Sequence, residues 1–172
     1  MSLVIKNYIY PDITTSIINS CVSDLDFLYV DQQNLKPNWP QQTQDILFDE
    51  RNPRFGPHWE ILKNTFLKSA QEYSGQKFNK CKAWVFGCFP QEESKQYDWH
   101  SHPYAKFSGV MYLSLPEGSN TTEFLNEDKT TFFLPFKKGE WFMFKKEYVH
   151  RNGYWDYKKM NVKRYCLAAS VI

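Results

Sequence analysis

From Cys81 to the C-terminus the chain is a succession of short apolar or alternating runs, each closed by turn residues, and few folds accept that grammar. The runs are Ala83 to Phe89, Lys106 to Leu115, Thr121 to Leu125, Thr131 to Phe136, Glu140 to Phe144 and Val162 to Val171. Pro90, the stretch from Pro116 to Asn120, Asn126 to Asp128, Lys138-Gly139 and Asn152-Gly153 punctuate them. Strands of this length pair with their neighbours, and a sheet with an apolar face must bury it on a second layer. The expected class is mainly β with flanking helices, arranged as a sandwich or jelly-roll barrel.

The N-terminal half reads differently. Asp12 can cap a short helix through Ile13, Ile17 and Ile18 to about Cys21, and the Phe27-Leu28-Tyr29-Val30 run after it reads as a strand. The polar stretch from Asp31 to Gly56 reads as irregular. A second helix starts near Pro57, carries Trp59, Leu62, Phe66 and Ala70 on one face, and stops at Gly75. With 172 residues the chain suits one domain over 1–172, a helical support over 1–80 and a barrel core over 81–172.

Composition excludes several classes of function. An aromatic content of 18% opposes disorder, and a net charge of +2 with scattered Lys and Arg lacks the basic footprint of a nucleic-acid binder. No window approaches the ~20 apolar residues of a spanning helix, and Met1 to Lys6 holds no apolar leader core. The expectation is a cytoplasmic protein without membrane or nucleic-acid partners. Cys21, Cys81, Cys88 and Cys166 form no C-x-x-C pair and read as reduced, mostly buried thiols.

Four histidines remain, and two of them form the segment Trp99-His100-Ser101-His102-Pro103. Residues i and i+2 of an extended segment share a side, so His100 and His102 can offer both imidazoles to one metal ion. His150 follows the strand ending at Phe144, where a third ligand could arrive from a neighbouring strand. Three ligands on one face of a metal keep positions open, which suits oxygen activation at Fe(II) as well as a catalytic zinc. His58, at the start of the second helix, reads as a helix-terminus or surface residue. Arg164 opens the last strand with small Cys166, Ala168 and Ser170 on its own face, leaving room for a ligand beside a fork suited to a carboxylate. An ion pair between Arg164 and Glu140 is the competing reading of that residue.

The order of H-x-H, a strand carrying Tyr112-Leu113, a Gly139-led apolar strand, His150 and finally Arg164-Tyr165 resembles the Fe(II)- and 2-oxoglutarate-dependent dioxygenases, in particular the prolyl-4-hydroxylase-like branch. The resemblance covers Ala83 to Ile172 and implies a double-stranded β-helix, the cupin-like jelly roll. It implies His100 and His150 as iron ligands, and Arg164 with Tyr112 as the binding site for the far carboxylate of the cosubstrate 2-oxoglutarate. It also implies that Trp84 to Pro90 and Trp99 line a substrate mouth. The implied activity is hydroxylation of a C–H bond in a small-molecule or peptide substrate, for which this branch suggests a prolyl or other amino-acid residue, with release of succinate and CO2.

One position departs from the family. Its metal-binding Asp is His102 here, so the triad would be His100, His102 and His150, three neutral ligands that leave the metal charge uncompensated by protein. Asp98 and Glu123 are the carboxylates that could restore the usual set, although neither occupies the family position. Two other classes stay open: a three-histidine metalloenzyme without 2-oxoglutarate (a cupin-like dioxygenase or a zinc hydrolase), and a non-catalytic β-sandwich binding module.

Overall fold

The structure is a computed structural model that describes residues 3–31, 35–37, 39–45, 47–49, 56–89, 98–135, 137–153 and 163–172. Helix α1 (Thr15–Asp31) starts on Thr14, whose Oγ1 accepts the Ile17 N–H at 3.2 Å, and not on Asp12. It also continues ten residues beyond Cys21 and absorbs the run expected to form a strand. Ile18, Cys21, Leu25 and Leu28 are buried at helical spacing, while Phe27 and Val30 are 69% and 84% exposed. The helical period of the whole segment therefore outweighs the β-forming side chains of its last turns.

Helix α2 (Pro57–Ser74) matches its sequence signals. Trp59, Leu62, Phe66 and Ala70 are all buried, and Gly75 ends the helix at φ 75°, a left-handed conformation that glycine adopts without steric penalty. Its N–H donates to the Gln71 carbonyl at 2.8 Å. His58 Nε2 donates to the Asp24 carboxylate at 2.5 Å, and Trp59 Nε1 donates to the same carboxylate at 2.8 Å, tying α2 to α1. His58 is thus a helix-terminus residue, as its sequence position implies.

The part before residue 80 is not wholly helical. It contributes β1 (Lys6–Tyr8), β2 (Leu35–Lys36) and β3 (Trp39–Thr43), strands too short for alternation to be read along them. The remaining strands are β4 (Cys81–Cys88), β5 (Phe107–Ser114), β6 (Glu123–Leu125), β7 (Thr131–Phe133), β8 (Trp141–Lys145), β9 (His150–Arg151) and β10 (Arg164–Val171). All six runs read from the sequence overlap one of these, while β9 was not among them; Pro90, Phe136 and Val162 lie outside the described residues. A seven-stranded sheet is ordered β1-β8-β5-β10-β4-β3-β2, and a three-stranded sheet is ordered β7-β6-β9.

Strand alternation divides the large sheet between two cores. Val85, Met111, Leu113, Tyr165, Leu167 and Ala169 face the helices and pack with Leu25, Leu62 and Phe66. Val110, Tyr112, Phe142, Phe144, Cys166 and Ala168 face the other way and pack with Phe124 and Leu134 of the small-sheet layer. The small residues of β10 are on the Arg164 face, as expected, and the space they leave lies between the two sheets. All four cysteines are free thiols. No described helix is long and apolar enough to cross a membrane.

Candidate metal centre

Three backbone hydrogen bonds bring the histidines together. The His100 N–H donates to the His150 carbonyl at 3.0 Å and the His150 N–H returns to the His100 carbonyl at 2.9 Å, an antiparallel bridge. The His102 N–H donates to the Lys146 carbonyl at 3.0 Å. The H-x-H segment is thereby stitched along the connection from β8 to β9, so its two imidazoles meet the third from across a two-residue strand. Ring centroids are 5.5 Å apart for His100 and His102, 4.5 Å for His100 and His150, and 4.8 Å for His102 and His150.

One nitrogen of each ring lies within 4.8 Å of the other two, and these three residues are the metal-capable group among the described residues. Neither Asp98 nor Glu123 belongs to it. Glu123 accepts from Arg151 Nε at 2.7 Å, and the Arg151 guanidinium lies 4.1 Å from the centre of the Trp99 ring. This clasp joins the residue before His100 to the residue after His150. Asp98 lines the adjoining cavity, and its carbonyl accepts from His100.

All three Nδ1 atoms are engaged. His100 Nδ1 is 3.1 Å from the Asp98 carbonyl, His150 Nδ1 is 2.9 Å from the Tyr148 carbonyl, and His102 Nδ1 is 2.8 Å from Ser108 Oγ. A carbonyl only accepts, so His100 and His150 carry their proton on Nδ1 and keep an Nε2 lone pair. Anchoring the far ring nitrogen in this way is how metal-ligating histidines are oriented. A metal bound at ~2.0–2.1 Å places nitrogens ~3–3.4 Å apart, so closing the triad on an ion requires movements of about an ångström.

Burial keeps the His102 and His150 rings neutral. It pushes His102 down to about 4, with the His100 ring adding to the effect, and His150 down to about 3, with His102 and His100 adding. Both values lie below the unfolded value of about 6.5, so the unfolded chain binds protons that the folded metal-free protein refuses. Metal-free stability is therefore expected to be full above pH ~6.5 and to fall as pH drops toward 4, by about 1.4 kcal/mol per pH unit for each ring at the steepest. Denaturant midpoints measured across that range check this, and His102→Gln should remove part of the slope.

A cavity of about 390 Å³ opens beside the triad, with Trp84, Phe86, Val110 and Ala168 as apolar walls and Lys36, Gln42, Asp98 and Asn152 among its polar groups. Trp84, expected at a substrate mouth, stands edge-on to His102 with centroids 5.6 Å apart. Cys166 and Thr122 line the same cavity, but Arg164 and Tyr112 do not. They lie behind that wall: Tyr112 shares a 2.7 Å hydrogen bond with Thr122, and Arg164 is two residues before Cys166 on the inward face of β10. Arg164 donates to the carbonyls of Asn120 and Gly153 and to Cys88 Sγ, the last two at 3.1 and 3.4 Å. Gly153 is required there, because a Cβ would collide with the Thr121 carbonyl oxygen. Glu140 bonds Asn7 at 3.1 Å.

Ser108, Thr122 and Arg151 are parts of the site that sequence reasoning missed. Ser108 carried a signal, a hydroxyl beside Val110 and Tyr112 on the inward face of β5; Thr122 precedes β6 and Arg151 belongs to β9, short strands whose partners no local pattern reveals.

No protein-family model matches the sequence, and no curated protein matches it. Solved structures do. A Pseudomonas putida prolyl-4-hydroxylase superposes with a TM-score of 0.64 at 10% identity, covering 99% of this chain and 88% of its own. AviO1 from Streptomyces viridochromogenes gives 0.71 at 10% identity, covering 99% and 90%. The non-heme α-ketoglutarate-dependent epimerase SnoN of nogalamycin biosynthesis gives 0.70 at 11% identity, covering 99% and 78%. Its two sheets, its strand order and these superpositions together give the chain the double-stranded β-helix fold found in the Fe(II)- and 2-oxoglutarate-dependent oxygenases.

Proposed function

We propose that the protein is an Fe(II)- and 2-oxoglutarate-dependent oxygenase that hydroxylates a C–H bond of a small-molecule or peptide substrate and releases succinate and CO2. The observation that carries this reading is the triad itself: three buried-to-rim imidazoles, anchored through Nδ1, at the wall of a cavity inside a barrel of the matching fold. His100, His102 and His150 would hold the metal through Nε2. Three imidazole donors suit Fe(II), and their neutrality favours an anionic co-ligand that supplies the missing negative charge. Bound Fe(II) with 2-oxoglutarate would supply oxidation of the substrate by O2, coupled to decarboxylation of the cosubstrate.

The residues of the chain do the rest. Arg164 would take the far carboxylate of 2-oxoglutarate, exchanging bonds that now go to carbonyls and a sulfur for charge-assisted ones, and Tyr112 would add its hydroxyl. Trp84, Phe86, Val110 and Ala168 would exclude water from the reacting carbon, while Asp98 and Asn152 would orient polar groups of the substrate near the histidines. The activities for which two structural neighbours are named, prolyl hydroxylation and α-ketoglutarate-dependent epimerisation, bracket a peptide and a small-molecule substrate.

The test is anaerobic reconstitution with Fe(II), addition of 2-oxoglutarate, and admission of O2. Slow substrate-free turnover should yield succinate, and 2-oxoglutarate should bind the loaded protein. Metal binding without 2-oxoglutarate binding would favour a three-histidine metalloenzyme of another kind, a reading supported by the protein-satisfied hydrogen bonds of Arg164. Absence of metal binding would leave a non-catalytic barrel.

A further inference from the structure

His102 differs from its two partners in what faces its Nδ1. Asp98 and Tyr148 present carbonyls to His100 and His150, whereas His102 meets the Ser108 hydroxyl at 2.8 Å, which itself lies 2.8 Å from the Ser170 hydroxyl. Ser108 and Ser170 are directly opposite each other on β5 and β10, on the inward face, and are 0% and 6% exposed. A buried hydroxyl is costly unless bonded, and an alanine pair would fill these strands without that requirement. The serines have one described use in common, a chain that ends on an imidazole of the triad.

Such a chain can run in two directions. If His102 donates from Nδ1 to Ser108, and Ser108 donates to Ser170, Nε2 keeps its lone pair and faces the metal position. If the chain runs the other way, Ser108 donates to Nδ1, the proton moves to Nε2, and the ring is blocked as a ligand. Carbonyls permit only the first arrangement; hydroxyls permit both.

We propose that Ser108 and Ser170 are positioning residues whose hydroxyl chain runs away from His102, so that Ser108 accepts from Nδ1 and holds the ring in its metal-binding tautomer, making a histidine usable at this place in the triad. This rests on the metal reading above, but its first consequence is visible without metal. Nitrogen NMR of the metal-free protein should show His102 carrying its proton on Nδ1. Ser108→Ala should shift that ring toward the Nε2-protonated form and weaken Co(II) binding, followed by visible absorption, by roughly 10–100-fold. Ser170→Ala, which keeps the direct Ser108 contact, should act in the same direction by a smaller factor.

Unchanged His102 tautomer and unchanged Co(II) affinity in both variants would overturn the proposal. Should Ser108→Ala fail to fold, Ser170→Ala decides on the same two readouts. Should the wild-type protein bind no Co(II), the metal reading fails, and the tautomer shift in the variants still stands or falls by itself.

Discussion

His150→Phe is expected to abolish stoichiometric metal binding while leaving the barrel folded. The His150 ring is 4% exposed and packs between Phe124 and Phe144, with centroids 5.4 and 4.9 Å away, so a phenyl ring keeps the aromatic contacts. Its backbone bridge to His100 does not involve the side chain. What disappears is a nitrogen donor, and with it the enclosure of the ion. Altering a residue that merely orients a ligand costs about 10–100-fold in affinity; deletion of the ligand should exceed that. Metal content after dialysis and a calorimetric titration give the answer, with circular dichroism and the melting temperature showing that the fold persists. A variant that binds metal as the wild type does would remove His150 from the site.

The second large effect is at Arg164. Arg164→Met should raise the concentration of 2-oxoglutarate needed for half-maximal succinate formation by roughly 10–150-fold, since a charge-assisted hydrogen bond contributes about 1.5–3 kcal/mol and about 1.4 kcal/mol is tenfold. Metal content should stay intact, because Arg164 makes none of the hydrogen bonds that anchor the three histidines. Arg164→Lys should sit between the two, keeping the charge and losing the fork. A cost to folding accompanies both: the Asn120 and Gly153 carbonyls lose their donor, and an unsatisfied buried acceptor costs about 1–3 kcal/mol. Loss of metal together with cosubstrate binding would instead mark Arg164 as a purely structural residue.

Strands β5 and β10 were legible because each carries its own pattern. Residues 107–114 and 164–171 place inward and outward side chains alternately, and one face of the last strand holds Arg164, Cys166, Ala168 and Ser170 as read, with Tyr112 opposite Cys166 on β5. Helix α1 was misjudged where Phe27 to Val30 looks like a strand in isolation, since only the positions of Ile18, Cys21 and Leu25 show that a helical face is still running. The short strands β1 and β3 left no trace in the sequence because they are held by pairing with β8 and β4, which come later in the chain, and β2 is held in turn by β3.

At the site, residue types were legible and their supports were not. H-x-H and a histidine after a strand could be seen in the sequence, whereas the acceptors that fix two of the rings are carbonyls, identical in every residue. The placement of Arg164 behind Cys166, bonded to loops that follow β5 and β9, depends on which loops the barrel brings to that end. The small residues beside it suggest room for a carboxylate and its role toward 2-oxoglutarate is implied by the resemblance, whereas the depth at which it lies emerges only from the fold.

The most direct measurement is the anomalous scattering of crystals grown with Co(II) or Fe(II). One peak per chain is expected, at ~2.0–2.2 Å from Nε2 of His100, His102 and His150. A peak held by the Asp98 carboxylate with His102 turned away, or no peak between the three rings at saturating metal, would contradict the three-imidazole centre on which the functional reading depends.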